Sequence, residues 1–106
     1  MGEEKIEQIL KENNIPFEKE KRFSSCYNPT TKKLLRFDFY IDNQYLVEFD
    51  GEQHYKATSG WNDEERLIIT KERDEIKNKW CKENNIPLIR IPYTQLKKLN
   101  IQDLLL

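Results

Sequence analysis

The stretch from Leu35 to Asp50 constrains this chain more than any other. Phe37, Phe39 and Ile41 alternate with Arg36, Asp38 and Tyr40. After a polar Asp42-Asn43-Gln44, Tyr45, Val47 and Phe49 alternate with Leu46, Glu48 and Asp50. Alternation with period two on both sides of a polar turn predicts a β-hairpin. If both apolar sets share one face, opposed residues must have the same parity, which requires an odd-numbered loop. A three-residue loop sets Ile41 opposite Tyr45 and Asp38 opposite Glu48, with Asp50 two residues further along the same face. A two-residue Asn-Gln loop sends Asp38 and Glu48 to opposite faces instead. In the first register three carboxylates crowd together, and charges this close raise one another's pKa unless a cation neutralises them.

The rest of the chain supplies the frame for this hairpin. Ile6, Ile9 and Leu10 recur at helical spacing over Glu3 to Asn13, with glutamates at the start where the helix dipole favours them. The six residues Lys-Glu-Asn-Asn-Ile-Pro at 11–16 return at 82–87. Asparagine tolerates the left-handed conformation of a helix end and the residue before proline avoids the helical region, so both copies read as a helix stop and strand start. A strand is expected at Phe17 to Phe23, alternating with charges as an edge strand does, and a loop from Ser24 to Thr31. A long helix runs from Asp63 or Glu64 to Asn84, with Ile69, Ile76 and Trp80 as its buried stripe. Arg73, Asp74 and Lys77 lie beside that stripe, at the edge of a site or as a solvated face. Leu88 to Pro92 reads as a short strand, and Leu96, Leu99 and Leu104 as a terminal helix. The order αβββαβα predicts an α/β fold with a central mixed sheet flanked by helices.

A chain of 106 residues fits a single domain, residues 1–106. Charged residues make up 35% and hydrophobic residues 37%, but the apolar positions are periodic, which argues against disorder. No apolar run reaches the length of a bilayer span, and a cytoplasmic location is expected. Cys26 and Cys81 stand without a second ligand at metal spacing and read as two reduced thiols. The net charge of −1 runs against a duplex-binding protein, for which phosphate neutralisation supplies most of the affinity. The cations are nonetheless clustered, with Lys19, Lys21 and Arg22 in one stretch and Lys32, Lys33 and Arg36 in another.

Acids crowded on one hairpin face suit phosphodiester hydrolysis, which needs a hard cation to neutralise phosphoryl oxygens and acidify a water. Magnesium or manganese would take Asp38 and Glu48, with the Phe49 carbonyl completing the protein ligands. Asp50 would bind a second cation or orient the water, and His54 is suited to proton transfer near neutral pH. Lys77 and Arg73 offer cations for the scissile phosphate. Lys32, Lys33, Arg36 and Gln53 are further candidates for holding the nucleic acid. Tyr55 and Trp61 would stack on a base or pack on the core.

The segments Arg36-Phe-Asp-Phe-Tyr40, Val47-Glu-Phe-Asp-Gly-Glu-Gln-His54, Arg73-Asp-Glu-Ile-Lys77 and Ile86-Pro-Leu-Ile-Arg-Ile91 together resemble the PD-(D/E)XK nuclease superfamily. Within it they are closest to very-short-patch repair endonucleases and related phage homing endonucleases. The resemblance implies a restriction-endonuclease-like core and a metal-dependent DNA endonuclease, one that nicks or cuts both strands. It gives Asp38 the place of the family's metal-binding aspartate, although Phe37 stands where proline is usual. Glu48 takes the acidic position of the next strand, and Asp50 stands where lysine is typical. His54 is similar to the repair branch's general base and Asp74 to its partner. Glu3, or Glu4 with a shift of one, resembles an N-terminal glutamate of that branch. With the lysine missing, Asp50, His54 and Lys77 all remain candidates for managing the attacking water. No stretch resembles the mismatch wedge or zinc segment of the repair enzymes. The competing expectations are a non-catalytic nucleic-acid-binding module on a nuclease scaffold and a nuclease for RNA or branched DNA. Specific interfaces with DNA commonly bury upwards of ~1,000 Å² of protein, so a homodimer or a separate DNA-binding domain is the expected partner arrangement for selective cleavage.

Overall fold

The computed structural model of the chain describes residues 2–51 and 63–106. Its elements are α1 (Gly2–Glu12), β1 (Phe17–Tyr27), β2 (Leu34–Ile41), β3 (Tyr45–Asp50), α2 (Asp63–Glu83) and β4 (Leu88–Pro92). Two 3-10 turns follow, Tyr93–Lys98 and Ile101–Leu104.

The repeated hexapeptide performs one local act twice. Asn14 and Asn85 both lie at φ 55°, the left-handed region that asparagine enters at small cost. Ile15 N–H donates to the Leu10 carbonyl at 3.0 Å and Ile86 N–H to the Cys81 carbonyl at 2.9 Å, closing the same helix-end motif. The amides of Asn13 and Asn84 reach back to the carbonyls of Ile9 and Trp80, each at 2.8 Å. The prolines that follow deliver the chain to the hairpin, because the Pro16 carbonyl accepts from Asp42 N–H and the Pro87 carbonyl from Leu46 N–H. One copy therefore starts β1 on one side of the hairpin and the other starts β4 on the opposite side.

The sheet order is β1-β2-β3-β4. β1–β2 and β2–β3 are antiparallel and β3–β4 is parallel, so the sheet is mixed and the fold is α/β. One apolar cluster joins Ile6 and Leu10 of α1 to Phe39, Ile41, Tyr45, Val47 and Ile91, closed by Leu99 and Leu104. The other joins Trp80 and Cys81 of α2 to Cys26, Leu35, Phe37 and Leu46. Helices thus cover both faces, and fully burying an aliphatic or aromatic side chain in such layers is worth about 1.5–3 kcal/mol. The C-terminal turns are held down by Tyr45, whose hydroxyl donates to the Leu104 carbonyl at 2.6 Å.

Four expectations need correction. β1 continues through Ser24 to Tyr27, where a loop was expected, because Cys26 is drawn into the α2 cluster and is only 1% exposed. The expected terminal helix is two 3-10 turns, the second opened by an Asn100–Asp103 capping box. Ile69 is 46% exposed, so the buried stripe of α2 is confined to its second half, at Ile76, Trp80 and Cys81. Finally, Phe37 and Phe39 share a parity yet pack in different clusters. The simple alternation of β2 breaks at Asp38.

No helix among the described residues is long and apolar enough to cross a membrane. Both cysteines are free and buried.

Candidate active site

The hairpin pairs as its apolar pattern requires near the turn and changes character at the acids. Ile41 faces Tyr45, Tyr40 faces Leu46 and Phe39 faces Val47. The loop has three residues, with Asp42 and Asn43 at φ 51° and 53°, and Gln44 N–H donates to the Ile41 carbonyl at 2.9 Å. This is the odd-loop register that sets Asp38 opposite Glu48. The residue pairing recorded between the two backbones ends at Phe39–Val47, and side chains take over. Asp38 N–H donates to Glu48 Oε1 at 3.0 Å, and Phe49 N–H donates to Asp38 Oδ2 at 2.8 Å. Each carboxylate satisfies a backbone donor of the opposing strand that would otherwise be buried unpaired. The two acids are thereby fixed side by side at the point where the strands separate.

Both are buried, Asp38 at 8% exposure and Glu48 at 3%, and neither has an ordinary acidity. Burial pushes the Asp38 carboxyl up to about 8, helped by a hydrogen-bonding contact with Glu3 and by the nearby Glu48 charge; the Phe49 N–H opposes the shift. Burial likewise raises Glu48, against the pull of Lys77, whose ammonium lies 3.2 Å from both carboxylate oxygens. That ammonium also stands 5.3 Å above the Phe37 ring. The break in β2 is what brings Phe37 to the α2 side beneath Lys77.

These groups open onto a cleft of about 770 Å³. Asp38, Glu48 and Phe49 line it from the sheet, Glu3 from α1, and Arg73, Asp74 and Lys77 from α2, with Arg36 at its margin. Of the two candidate N-terminal acids, Glu3 lines the cleft and Glu4 is exposed. The approach of α1 depends on Gly2, because the Phe49 ring lies where a side chain at that position would begin.

Asp50 departs from the expected trio. It is buried, but its Oδ1 accepts from Arg90 Nη1 at 3.0 Å, and it is not part of the cleft wall. The same guanidinium lies 3.5 Å from Asp74 Oδ1 and donates to the Asp74 carbonyl and to Asn78 Oδ1. Arg90 is the residue that sequence reasoning missed. Its signal was a lone cation inside the apolar run Leu88-Ile89-Arg90-Ile91. Thr70 and Tyr93, also unforeseen, add polar groups to the cleft wall. Of the expected phosphate-holding residues, Arg36 and Arg73 reach the cleft, and Lys33 lines a neighbouring depression with both. Lys32 lines neither; it occupies a turn at φ 64°. His54 and Gln53, with Tyr55 and Trp61, lie outside the described residues, and so does the expected pairing of His54 with Asp74.

Hard oxygen donors that hold their protons tightly because they are buried together are the chemistry a small divalent cation takes up. Among the described residues, however, no three His, Cys, Asp or Glu side chains already stand as a ligand group. Lys77 holds Glu48, and Arg90 holds Asp50. The donor set fits a divalent cation in kind, and admitting one requires Lys77 to release Glu48.

The chain is 34% identical over 82 residues to uncharacterized protein 033L of Invertebrate iridescent virus 3, covering 76% of this chain and 42% of that protein. It is 39% identical over 62 residues to uncharacterized protein 307L of Invertebrate iridescent virus 6, covering 57% of this chain and 32% of that protein. The chain therefore spans less than half the length of these relatives. No family model and no solved structure matches it.

Proposed function

We propose that this chain is a metal-dependent nuclease domain with a restriction-endonuclease-like core, which hydrolyses phosphodiester bonds of DNA. The observation that carries this reading is the buried Asp38–Glu48 pair, opposed across a splayed hairpin and open to a cleft whose remaining wall includes Arg36, Arg73 and Lys77. A fold that needed only stability gains little from two such carboxylates, since each is costly to ionise where it stands.

Asp38, Glu48 and the Phe49 carbonyl would hold magnesium or manganese. When bound, that cation supplies charge neutralisation at the phosphoryl oxygens and a more acidic water. The chain's own residues do the rest. Arg36 and Arg73 hold non-bridging phosphate oxygens at the mouth of the cleft. Lys77, once released from Glu48, carries its ammonium toward the phosphate side and balances charge accumulating there. Glu3, whose contact helps keep the Asp38 carboxyl raised in the resting state, borders the same cleft from α1. Asp50, secured by Arg90, fixes the end of β3 rather than touching substrate.

The test is cleavage of plasmid, linear, single-stranded and branched DNA, and of RNA, with magnesium, manganese or chelator. The expected result is metal-dependent cutting by the parent and a loss of at least about 100-fold in Asp38→Ala with folding intact. Equal rates in the two proteins would remove the site assignment.

One observation favours a second reading, a nucleic-acid-binding module that does not cut. The Lys77–Glu48 pair and the Glu3–Asp38 contact satisfy the cluster from within the protein. On that reading neither magnesium nor manganese binds, and no substrate in the panel is cleaved.

A further inference from the structure

Beside the carboxylate cleft lies a second depression of about 370 Å³, with a different composition. Arg22 of β1, Lys33 and Arg36 at the start of β2, and Arg73 and Lys77 of α2 line it, and no carboxylate does so among the described residues. Three residues belong to both depressions, Arg36, Arg73 and Lys77, and all three are cations. The two hollows therefore adjoin across a shared wall of three cations, forming a groove that is basic at one end and acidic at the other.

The turn between β1 and β2 builds the outer wall of the basic end. Asn28 Oδ1 accepts from Thr30 N–H at 2.8 Å, and the Asn28 backbone bonds Lys32 and Lys33 at 2.8 and 3.0 Å. This closes the turn and sets the exposed Lys33 on the rim of the depression, which Lys32 does not line. Arg22 and Arg73 are exposed, whereas Arg36 is shared with Glu20 at 3.0 Å.

From this arrangement we infer that the basic end of the groove is a phosphate track for duplex DNA, which leads one strand's backbone across Arg36, Arg73 and Lys77 into the carboxylate cleft. The inference deepens the nuclease reading and rests on it for the direction of travel. None of the described residues lining the basic end is aromatic, whereas proteins that hold single strands generally stack bases on aromatic rings. A wall of guanidinium and ammonium groups, with Asn28, Thr31, Leu34 and Leu35 among them, suits contact with phosphates, which positions the duplex without reading its sequence. The track also explains how a chain of net charge −1 can bind a polyanion, because its positive charge is gathered on one path.

The experiment is fluorescence anisotropy with a labelled 20-base-pair duplex and the matching single strand, across a salt series in chelator, so that nothing is cut. The double variant Arg22→Gln, Lys33→Gln should bind the duplex about tenfold or more weakly. Its slope of log affinity against log salt should be smaller by about 2, near 0.9 for each phosphate that is no longer neutralised. Arg22→Lys, Lys33→Arg should restore most of the affinity. Lys97→Gln, Lys98→Gln removes the same charge from the exposed C-terminal turn and should leave binding within about twofold of the parent. Four results would overturn the track: no duplex binding by the parent, tighter binding of the single strand, parent-like binding by the first variant, or equal losses in the two glutamine variants. Cleavage measured separately with magnesium keeps the two claims apart. A groove variant that loses binding beside a parent that never cuts leaves the track standing and the nuclease reading fallen. A groove variant that binds and cuts like the parent does the reverse.

Discussion

Asp38 combines a backbone bond to Phe49, a carboxyl neighbour in Glu3 and a second acid in Glu48. Its carboxyl is raised to about 8 in the folded state, well above the unfolded value near ~4. A native state that binds a proton more tightly than the unfolded chain is favoured at low pH and loses that advantage as pH climbs through the native pKa. In chelator, the contribution of Asp38 to stability should therefore decline from about pH 4 to about pH 8, and Glu48, raised in the same direction, adds to it. Asp38→Asn keeps an acceptor for Phe49 N–H and removes the titration. Its urea midpoint should exceed the parent's at pH 8 by more than at pH 5, and a constant difference would contradict the assigned cause. Lys77 has the opposite role. It is the cation that lets Glu48 ionise while buried, so Lys77→Gln should destabilise the metal-free protein by about 3 kcal/mol at neutral pH, the scale for breaking a buried pair from one side. Little or no change in the denaturation midpoint would mean that Glu48 is already protonated there.

At the scale of elements, the legible parts were those where one local rule acts alone. The repeated Lys-Glu-Asn-Asn-Ile-Pro announced both helix ends, and both occur through an asparagine at φ 55°. Asn14→Gly or Asn85→Gly should be neutral or slightly stabilising, whereas Asn14→Val should cost about 1–2 kcal/mol through left-handed strain; thermal melts distinguish the two. The hairpin register was legible for a related reason, since parity and loop length admit few answers. What the alternation concealed was the break at Asp38, where Phe37 and Phe39 go to different clusters although nothing in the letters interrupts the pattern. The buried face of α2 was overextended to Ile69 because helical spacing gives a stripe without saying where its neighbours end. Of the three acids expected on one face, Asp38 and Glu48 converge, and Asp50 is paired with Arg90. A partner 40 residues away is invisible to any rule about neighbours. Arg90→Leu removes the guanidinium 3.0 Å from buried Asp50 and should lower stability by about 3 kcal/mol, an effect read from denaturant midpoints. An unchanged midpoint would return Asp50 to the set of candidate metal ligands.

For the whole molecule, the sheet carries one apolar layer on each face and gathers its chemistry at the end where β2 and β3 part. The covering helices bring their own charged groups to that end, Glu3 from α1 and Arg73, Asp74 and Lys77 from α2. The site is therefore a product of packing, and only its sheet-borne half could be read from the hairpin. The sequence places Lys77 beside the site as a candidate cation; its resting place on Glu48 was not legible, because that contact exists only once α2 lies across the sheet. Specific interfaces commonly bury upwards of ~1,000 Å² of protein, a large demand on 106 residues, so the chain alone should discriminate poorly between sequences. In competition assays at physiological salt, random and chosen duplexes should displace each other within about tenfold, far below the ~10³-fold or greater ratio typical of specific binders.

The most direct measurement is calorimetric titration of the chain with manganese at neutral pH, for the parent, Asp38→Asn and Glu48→Gln. The parent should bind saturably and both variants should lose that binding, each keeping its circular-dichroism spectrum. Heats of dilution alone in the parent, or binding that survives both substitutions unchanged, would contradict the claim that Asp38 and Glu48 are brought together to hold a cation.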